Sequence, residues 1–225
     1  MTPRALFFDF DGIITDTEPI HMEAWLAVLE AYGVSFTEED YHQNYLGFCD
    51  RDFLGAIESR FRIHFSQDQI NDLINAKIAT TLALLEHDIP VLPGVAEAIR
   101  ELSGDYTLAI VSGANRTEIE TILKHLGWLH LFKPIVAGED VKRGKPDPEG
   151  YIRALEVVRD GREWMPPLAS EECVAIEDSP KGIAAAKAAG LTCVAITNSF
   201  ARGALDEADA IVDSIADIDF HELVS

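Results

Sequence analysis

Asp9 and Asp11 stand two residues apart, directly after the apolar run Ala5-Leu6-Phe7-Phe8 and just before Gly12. On an extended segment that spacing points both carboxylates the same way. Further along come Ser112-Gly113, Lys145 within Gly144-Lys145-Pro146, and Glu177-Asp178-Ser179, each behind another short apolar run. The set offers several carboxylates, one small hydroxyl beside a glycine, and one lysine. Those types suit phosphoryl transfer. A phosphomonoester dianion repels a carboxylate nucleophile, so a cation has to stand between them. Mg²⁺ takes oxygen ligands and is usually held by one or two carboxylates plus phosphate oxygens. It neutralises charge and aligns the two partners. One of Asp9 and Asp11 would attack phosphorus while the other handles the leaving-group proton. Asp11 must be protonated when it acts as acid, and crowding by Asp9 and Asp178 is expected to raise its pKa, offset in part by the metal. Lys145 would balance charge on the equatorial phosphate oxygens. Ser112 and nearby backbone N–H groups, around Gly113, would donate hydrogen bonds.

Each piece has a plainer reading. An Asp-x-Asp pair is common on surfaces, and Gly12 serves equally as a turn. Ser112 suits the cap of a following helix. Lys142, Arg143 and Lys145 suit a solvated loop, and Glu177-Asp178 suits a cap for a helix opening near Pro180. What favours chemistry is the joint pattern: four groups of complementary type, each behind its own strand.

Those strands are short apolar runs alternating with helical patterns, the signature of an α/β fold with a doubly wound, Rossmann-like parallel sheet. Ala5–Phe8 reads as the first strand, apolar at successive positions as a strand covered on both faces should be. Residues 107–111, 135–137, 173–176 and 192–196 follow, with 210–212 a weaker last candidate. Helices fit between them at 95–103, 117–126, 149–158 and 181–189. In an open parallel sheet, ligands bind beyond the carboxyl ends of the strands, where all the residues above would gather.

The stretch from Thr17 to about Glu86 breaks the rhythm and reads almost wholly helical. Pro19 suits a first helical turn, with Trp25, Val28, Leu29 and Tyr32 along one face and Gly33 at the end. Thr37-Glu38-Glu39-Asp40 opens another helix. Ser66-Gln67-Asp68-Gln69 is a capping-box pattern, followed by Ile70, Leu73, Ile74, Ile78 and Leu82 at helical spacing. The expected organisation is a catalytic core of residues 1–16 and 87–225 and an inserted helical cap of residues 17–86. The 159–171 stretch, with Pro166-Pro167, reads as a long loop.

With 225 residues and ~150 per domain, one domain carrying a smaller insert is the prior. The net charge of −21 argues against nucleic-acid or anionic-membrane partners. No apolar run approaches the ~18 residues of a membrane span, and the opening residues turn acidic too soon for a signal peptide. Cys49, Cys173 and Cys193 form neither a disulfide framework nor a zinc pattern. A cytoplasmic location is the expectation, and a monomer the default.

The run Asp9-Phe10-Asp11-Gly12-Ile13-Ile14-Thr15-Asp16-Thr17-Glu18 resembles the first motif of the haloacid dehalogenase-like superfamily. Ser112 matches its second motif, and Lys145 in Gly144-Lys145-Pro146-Asp147 its third. Glu177-Asp178-Ser179 with Gly182, Ala185 and Gly190 resembles its fourth. The likeness covers nearly the whole chain and is nearest the β-phosphoglucomutase and phosphoglycolate-phosphatase branch. It implies that Asp9 is the nucleophile that forms an aspartyl phosphate and Asp11 the acid/base. Mg²⁺ would be bound by Asp9, the backbone carbonyl of Asp11, and Asp178, with Glu177 behind them or as an auxiliary ligand. The dehalogenases that name the superfamily lack the second aspartate, so Asp11 favours phosphoryl chemistry.

The expected activity is a Mg²⁺-dependent phosphatase acting on a small phosphorylated metabolite, a sugar phosphate or short phosphoacid. The enzyme alternative is a phosphosugar mutase, and a receiver-like phospho-acceptor domain is the alternative from another class. His21 aligns with a mutase histidine near the catalytic aspartate, or packs within the cap. Gly47-Phe48-Cys49-Asp50-Arg51 aligns with the cap loop that selects substrate. Mutases of this branch place an arginine where Asp50 falls, to hold a second phosphate; here only Arg51 is near. Asn115-Arg116 supplies extra phosphate contacts, or only starts a helix. The remaining histidines show no metal spacing.

Overall fold

The computed structural model describes residues 3–86, 88–161 and 167–220. His87, His221 and residues 162–166 of the expected 159–171 loop lie outside them. Six strands, β1 (Ala5–Phe8), β2 (Thr107–Val111), β3 (Phe132–Val136), β4 (Cys173–Glu177), β5 (Thr192–Ile196) and β6 (Ala210–Val212), form one sheet in the order β3-β2-β1-β4-β5-β6. All neighbours are parallel. The chain winds outward from β1 through β2 to β3, then returns to β4 on the other side of β1. The order therefore reverses at β1, and the crevice beyond its carboxyl end is where such sheets hold ligands. Asp9 is the first residue past that end.

Alternation along each strand divides the core in two. Leu6, Phe8, Ile110 and Ile176 face one side, under α5 (Val95–Asp105) and α6 (Arg116–His125). Ala5, Phe7, Ala109 and Ala175 face the other, under α7 (Glu149–Asp160) and α8 (Pro180–Ala188). Burial on both faces explains the unbroken apolar runs.

Between β1 and α5 the chain builds α1 (Glu18–Leu29), α2 (Glu38–Asn44), α3 (Asp50–Phe61) and α4 (Gln67–Leu84) around a separate core. Trp25 stacks on Phe53 with ring centroids 4.6 Å apart, and Tyr41, Tyr45 and Phe36 pack around the same phenyl ring. The capping box at Ser66 forms as its sequence indicates. The two connections to the sheet layer are bonded to each other: Asp16 N donates to Pro90 O at 2.8 Å and Leu92 N to Ile14 O at 3.1 Å.

Three expectations change. β3 starts at Phe132 rather than Ile135, because Lys133 and Pro134 interrupt the apolar pattern. Proline, which gives a ladder no donor, is accommodated there on an edge strand. Asp50 and Arg51, read as loop, are the first turn of α3. Tyr32 lies beyond α1 in a 3₁₀ turn, 41% exposed, its ring edge against Phe65.

Candidate active site

The end of β1 is tied to β4, with Asp9 N donating to Ile176 O at 3.0 Å. The Asp9 side chain is fixed too: Phe10 N donates to its Oδ1 at 2.7 Å. Its other oxygen, Oδ2, lies 3.0 Å from Lys145 Nζ, which also reaches Glu177 Oε1 at 2.7 Å. Glu177 and Asp178 arrive on the end of β4, beside β1. Ligand atoms of Asp9, Glu177 and Asp178 all lie within 4.8 Å of one another.

Two glycines make that convergence possible. A Cβ on Gly182 would fall within 2.5 Å of both Glu177 carboxylate oxygens, so the carboxylate seats directly on α8. Gly12 has φ +76°, and a Cβ there would meet Asp178 Oδ2 and Ser199 Oγ. Two neighbouring hydroxyls bond to these carboxylates, while Glu177 Oε2 is buried without a hydrogen-bond partner among the described residues. Tyr151 OH donates to Glu177 Oε1, and Ser199 Oγ donates to Asp178 Oδ2. The cap of α8 is Ser179, whose Oγ accepts from Gly182 N at 3.1 Å. Glu177 and Asp178 are therefore free of the helix-capping duty their position suggested.

The electrostatics ask for a cation. Burial pushes Asp9 well above the usual carboxylate range, and Glu177 and Asp178 push the same way against the pull of Lys145. Burial and Glu177 lift Asp178 to about 7. Among the three clustered carboxylates stands one ammonium, Lys145, paired with Asp9 and Glu177, which raise its pKa in spite of burial. An all-oxygen donor set short of positive charge fits a hard divalent ion.

The sequence model of the haloacid dehalogenase-like hydrolase family matches residues 6–196. The chain belongs to this family. It is 33% identical over 212 residues to the phosphorylated carbohydrates phosphatase of Thermotoga maritima, covering 92% of each chain. It is 29% identical over 189 residues to the fructose-1-phosphate phosphatase YqaB of Escherichia coli, covering 84% of this chain and 94% of that one. Among solved structures, CbbY from Rhodobacter sphaeroides in complex with xylulose-(1,5)bisphosphate superposes with a TM-score of 0.82 at 27% identity, over 98% of this chain and 96% of that one.

In this hydrolase Asp11 is turned away from the carboxylate cluster, toward the helical insert. Its Oδ1 accepts from Thr17 Oγ1 and lies 3.4 Å from His21 Nε2. This corrects the expected pKa. Burial does push Asp11 up, but the hydrogen bond and charge of His21, the Thr17 hydroxyl and the Lys77 ammonium outweigh it, and the group sits below its ordinary value. His21 is raised: burial and Lys77 oppose its charge, while Asp11 and Glu118 favour it more.

The other expected site residues divide. Ser112 and Gly113 line the cavity that holds Asp9 and Asp11. Ser112 Oγ accepts from Ala114 N at 3.0 Å. The cap of α6 is Asn115, whose Oδ1 accepts from Thr117 N at 2.9 Å. Asn115 and Arg51 do not line the main cavity but an adjoining groove, where Arg51 Nη2 donates to Asn71 Oδ1 at 3.1 Å. In that groove Asn115 is turned onto its own helix, the second of the two readings its sequence offered, and Arg51 onto α4.

Further residues that no motif marks as functional complete the site and its surroundings. Glu18 accepts from Tyr41 OH at 2.8 Å and faces the site, and burial raises its pKa. Lys77 Nζ lies 3.2 Å from Asp50 Oδ1 and 3.1 Å from Glu118 Oε1. Its signal was present: Lys77 falls within the apolar stripe Ile70, Leu73, Ile74 and Ile78 of α4. Glu118 likewise interrupts the buried side of α6, beside Ile119, Ile122 and Leu123. A charge at an apolar position announces a buried partner.

Proposed function

We propose that this chain is a Mg²⁺-dependent phosphatase of small phosphorylated sugars that works through an aspartyl phosphate on Asp9. The observation that carries the reading is the split placement of two aspartates. Asp9 sits among Lys145, Glu177 and Asp178, whereas Asp11, two residues on, sits apart beside Thr17 and His21. One place suits a nucleophile facing phosphorus, the other a proton carrier facing the leaving group. The sugar class is supported by the printed activities of the Thermotoga and Escherichia relatives.

Asp9 would attack phosphorus as the bond from phosphorus to the leaving oxygen breaks, and Asp11 would protonate that oxygen. His21, whose pKa Asp11 and Glu118 raise against burial and Lys77, lies 3.4 Å from Asp11, within reach to share its proton. Water then attacks phosphorus, Asp11 takes the water's proton, and the bond to Asp9 breaks. Lys145 balances charge on the phosphoryl oxygens, and Ser112 with the backbone around Gly113 donates to them. Asp9 and Asp178, with Glu177 as auxiliary, would hold Mg²⁺, and the Asp11 carbonyl is the fourth group assigned to it. The ion supplies charge neutralisation and alignment. Residues 17–86 act as a cap that closes over the reaction, hinged at the paired connections near Ile14–Thr17 and 86–93.

The test is phosphate release from a panel of sugar monophosphates with and without Mg²⁺. Turnover that needs the metal and is absent from Asp9→Asn is expected. Metal-independent turnover, or none on any monophosphate, overturns the reading.

A further inference from the structure

The cavity is lined by seven carboxylates, Asp9, Asp11, Glu18, Asp50, Asp52, Asp147 and Asp178, against three lysines and arginines and His21. Among the described residues, each lining cation lies within 4.0 Å of a carboxylate. Lys145 is held by Asp9 and Glu177, Arg143 by Asp147, and His21 lies against Asp11. The remaining cation, Lys77, lies on the insert side of the cavity, where the leaving group of a substrate held at Asp9 would sit.

Lys77 is engaged on two sides. Asp50, from α3, stands 3.2 Å away and lines the cavity. Glu118 comes from α6 of the sheet layer, behind Lys77. Both of its carboxylate oxygens accept from Nζ, at 3.1 and 3.2 Å, and it is 1% exposed. The same carboxylate lies 4.0 Å from His21 Nδ1. A substrate carrying a second anion would have to win Lys77 from both acids. It would do so while facing Asp50, whose charge repels it.

We propose that Glu118 is a specificity-determining residue. By holding Lys77 in an internal ion pair, it withholds from substrate the one lysine or arginine that the insert contributes to the described cavity lining, so leaving groups that are uncharged and rich in hydroxyls are accepted. A second phosphate or a carboxylate is turned away. Glu118 touches no substrate; it acts through Lys77. The inference rests on the phosphatase reading and narrows it to monophosphates of neutral polyols, setting aside phosphoacids and bisphosphates. Selectivity of this kind works by an unfavourable contact with the wrong ligand.

The experiment compares kcat/KM for a hexose monophosphate and the matching bisphosphate, with p-nitrophenyl phosphate as reference, on the full-length chain. Wild type should favour the monophosphate by about 100-fold, the scale on which like charges set apart partners. Glu118→Gln keeps the side-chain shape but removes its charge. It should narrow the preference about tenfold, through a lower KM for the bisphosphate. Adding Lys77→Met should cancel that narrowing, which a merely loosened cavity would not do. If thermal melting shows that Glu118→Gln does not fold, Asp50→Asn removes the other partner of Lys77 and must narrow the preference in the same direction. Equal use of both substrates by wild type, an unmoved ratio in a folded variant, or narrowing that survives Lys77→Met overturns the proposal alone. Absence of phosphate release from every substrate, the reference included, overturns the phosphatase reading and the proposal together.

Discussion

The Glu177 carboxylate fills the space that a side chain at position 182 would need. A Cβ on Gly182 would lie 1.9 Å from Oε2 and 2.3 Å from Oε1. Glu177 is also where Lys145 and Tyr151 meet, so moving it disturbs the whole floor of the site. Gly182→Ala is expected to cost about 1–3 kcal/mol and most of the activity. Gly104→Ala in α5, where a Cβ meets nothing within 4 Å, should leave the melting temperature unchanged or slightly raised. Thermal melts of the two variants side by side check this, and equal behaviour would remove the packing argument.

The residues that follow strands were legible because a parallel sheet exposes one edge and each strand announces itself as an apolar run. Asp9, Ser112 and Glu177-Asp178 therefore fall together at one sheet edge on the sequence alone. Lys145 was harder, lying a loop away from β3, and only its motif marked it. What could not be read were partners delivered by tertiary packing. Nothing local to Asp11 says that Lys77, from α4, will stand on its far side beside His21, so crowding by Asp9 and Asp178 alone set the expected pKa, in the wrong direction. Arg51 was read as reaching toward substrate because its loop aligned with a specificity loop. The fold makes that segment the first turn of α3 and aims Arg51 at Asn71.

Asp9→Asn should abolish turnover without unfolding the protein. Asparagine is nearly isosteric but a poor nucleophile, and it offers a metal no charge. Because burial and two acidic neighbours push Asp9 well up in the free protein, losing its charge should leave the melting temperature equal or higher. Phosphate release above a few per cent of wild type by a folded sample (an order-of-magnitude bound) would exclude Asp9 as nucleophile.

Mg²⁺ should change how stability depends on pH. Asp178 is lifted to about 7 in the folded chain, whereas an unfolded aspartate titrates near ~4. A raised folded pKa means that the folded state holds the proton more tightly. The stabilising contribution is complete below ~4 and is lost as pH climbs through about 7. Asp9 adds to the same trend. Bound Mg²⁺ replaces those protons, so the gap in melting temperature between Mg²⁺ and chelator samples should widen from pH 5 to pH 8. In Asp178→Ala the gap should shrink, and the Mg²⁺ concentration needed for activity should rise more than the substrate KM does. An unaltered Mg²⁺ titration in that variant would remove Asp178 from the metal assignment.

The choice between phosphatase and mutase turns on what meets the aspartyl phosphate next. A mutase must hold a second phosphate at the far side of a closed cap while the phosphoryl group is passed back. A phosphatase has only to admit water. The far side here is Asp50 with Lys77 already engaged by two acids, and Arg51 is turned onto Asn71 outside the main cavity. At ~4 Å, Asp50 and a phosphate oxygen would repel by about 4 kcal/mol per unit charge at an effective dielectric near 20. Net phosphate release from monophosphates, with no bisphosphate activator, is therefore expected. Incubation with β-glucose 1-phosphate and a trace of glucose 1,6-bisphosphate decides it. Free phosphate should accumulate in step with substrate loss. Rapid formation of glucose 6-phosphate with little free phosphate would make the chain a mutase, and would require that Arg51 or Lys77 leave its present partner when the cap closes on substrate.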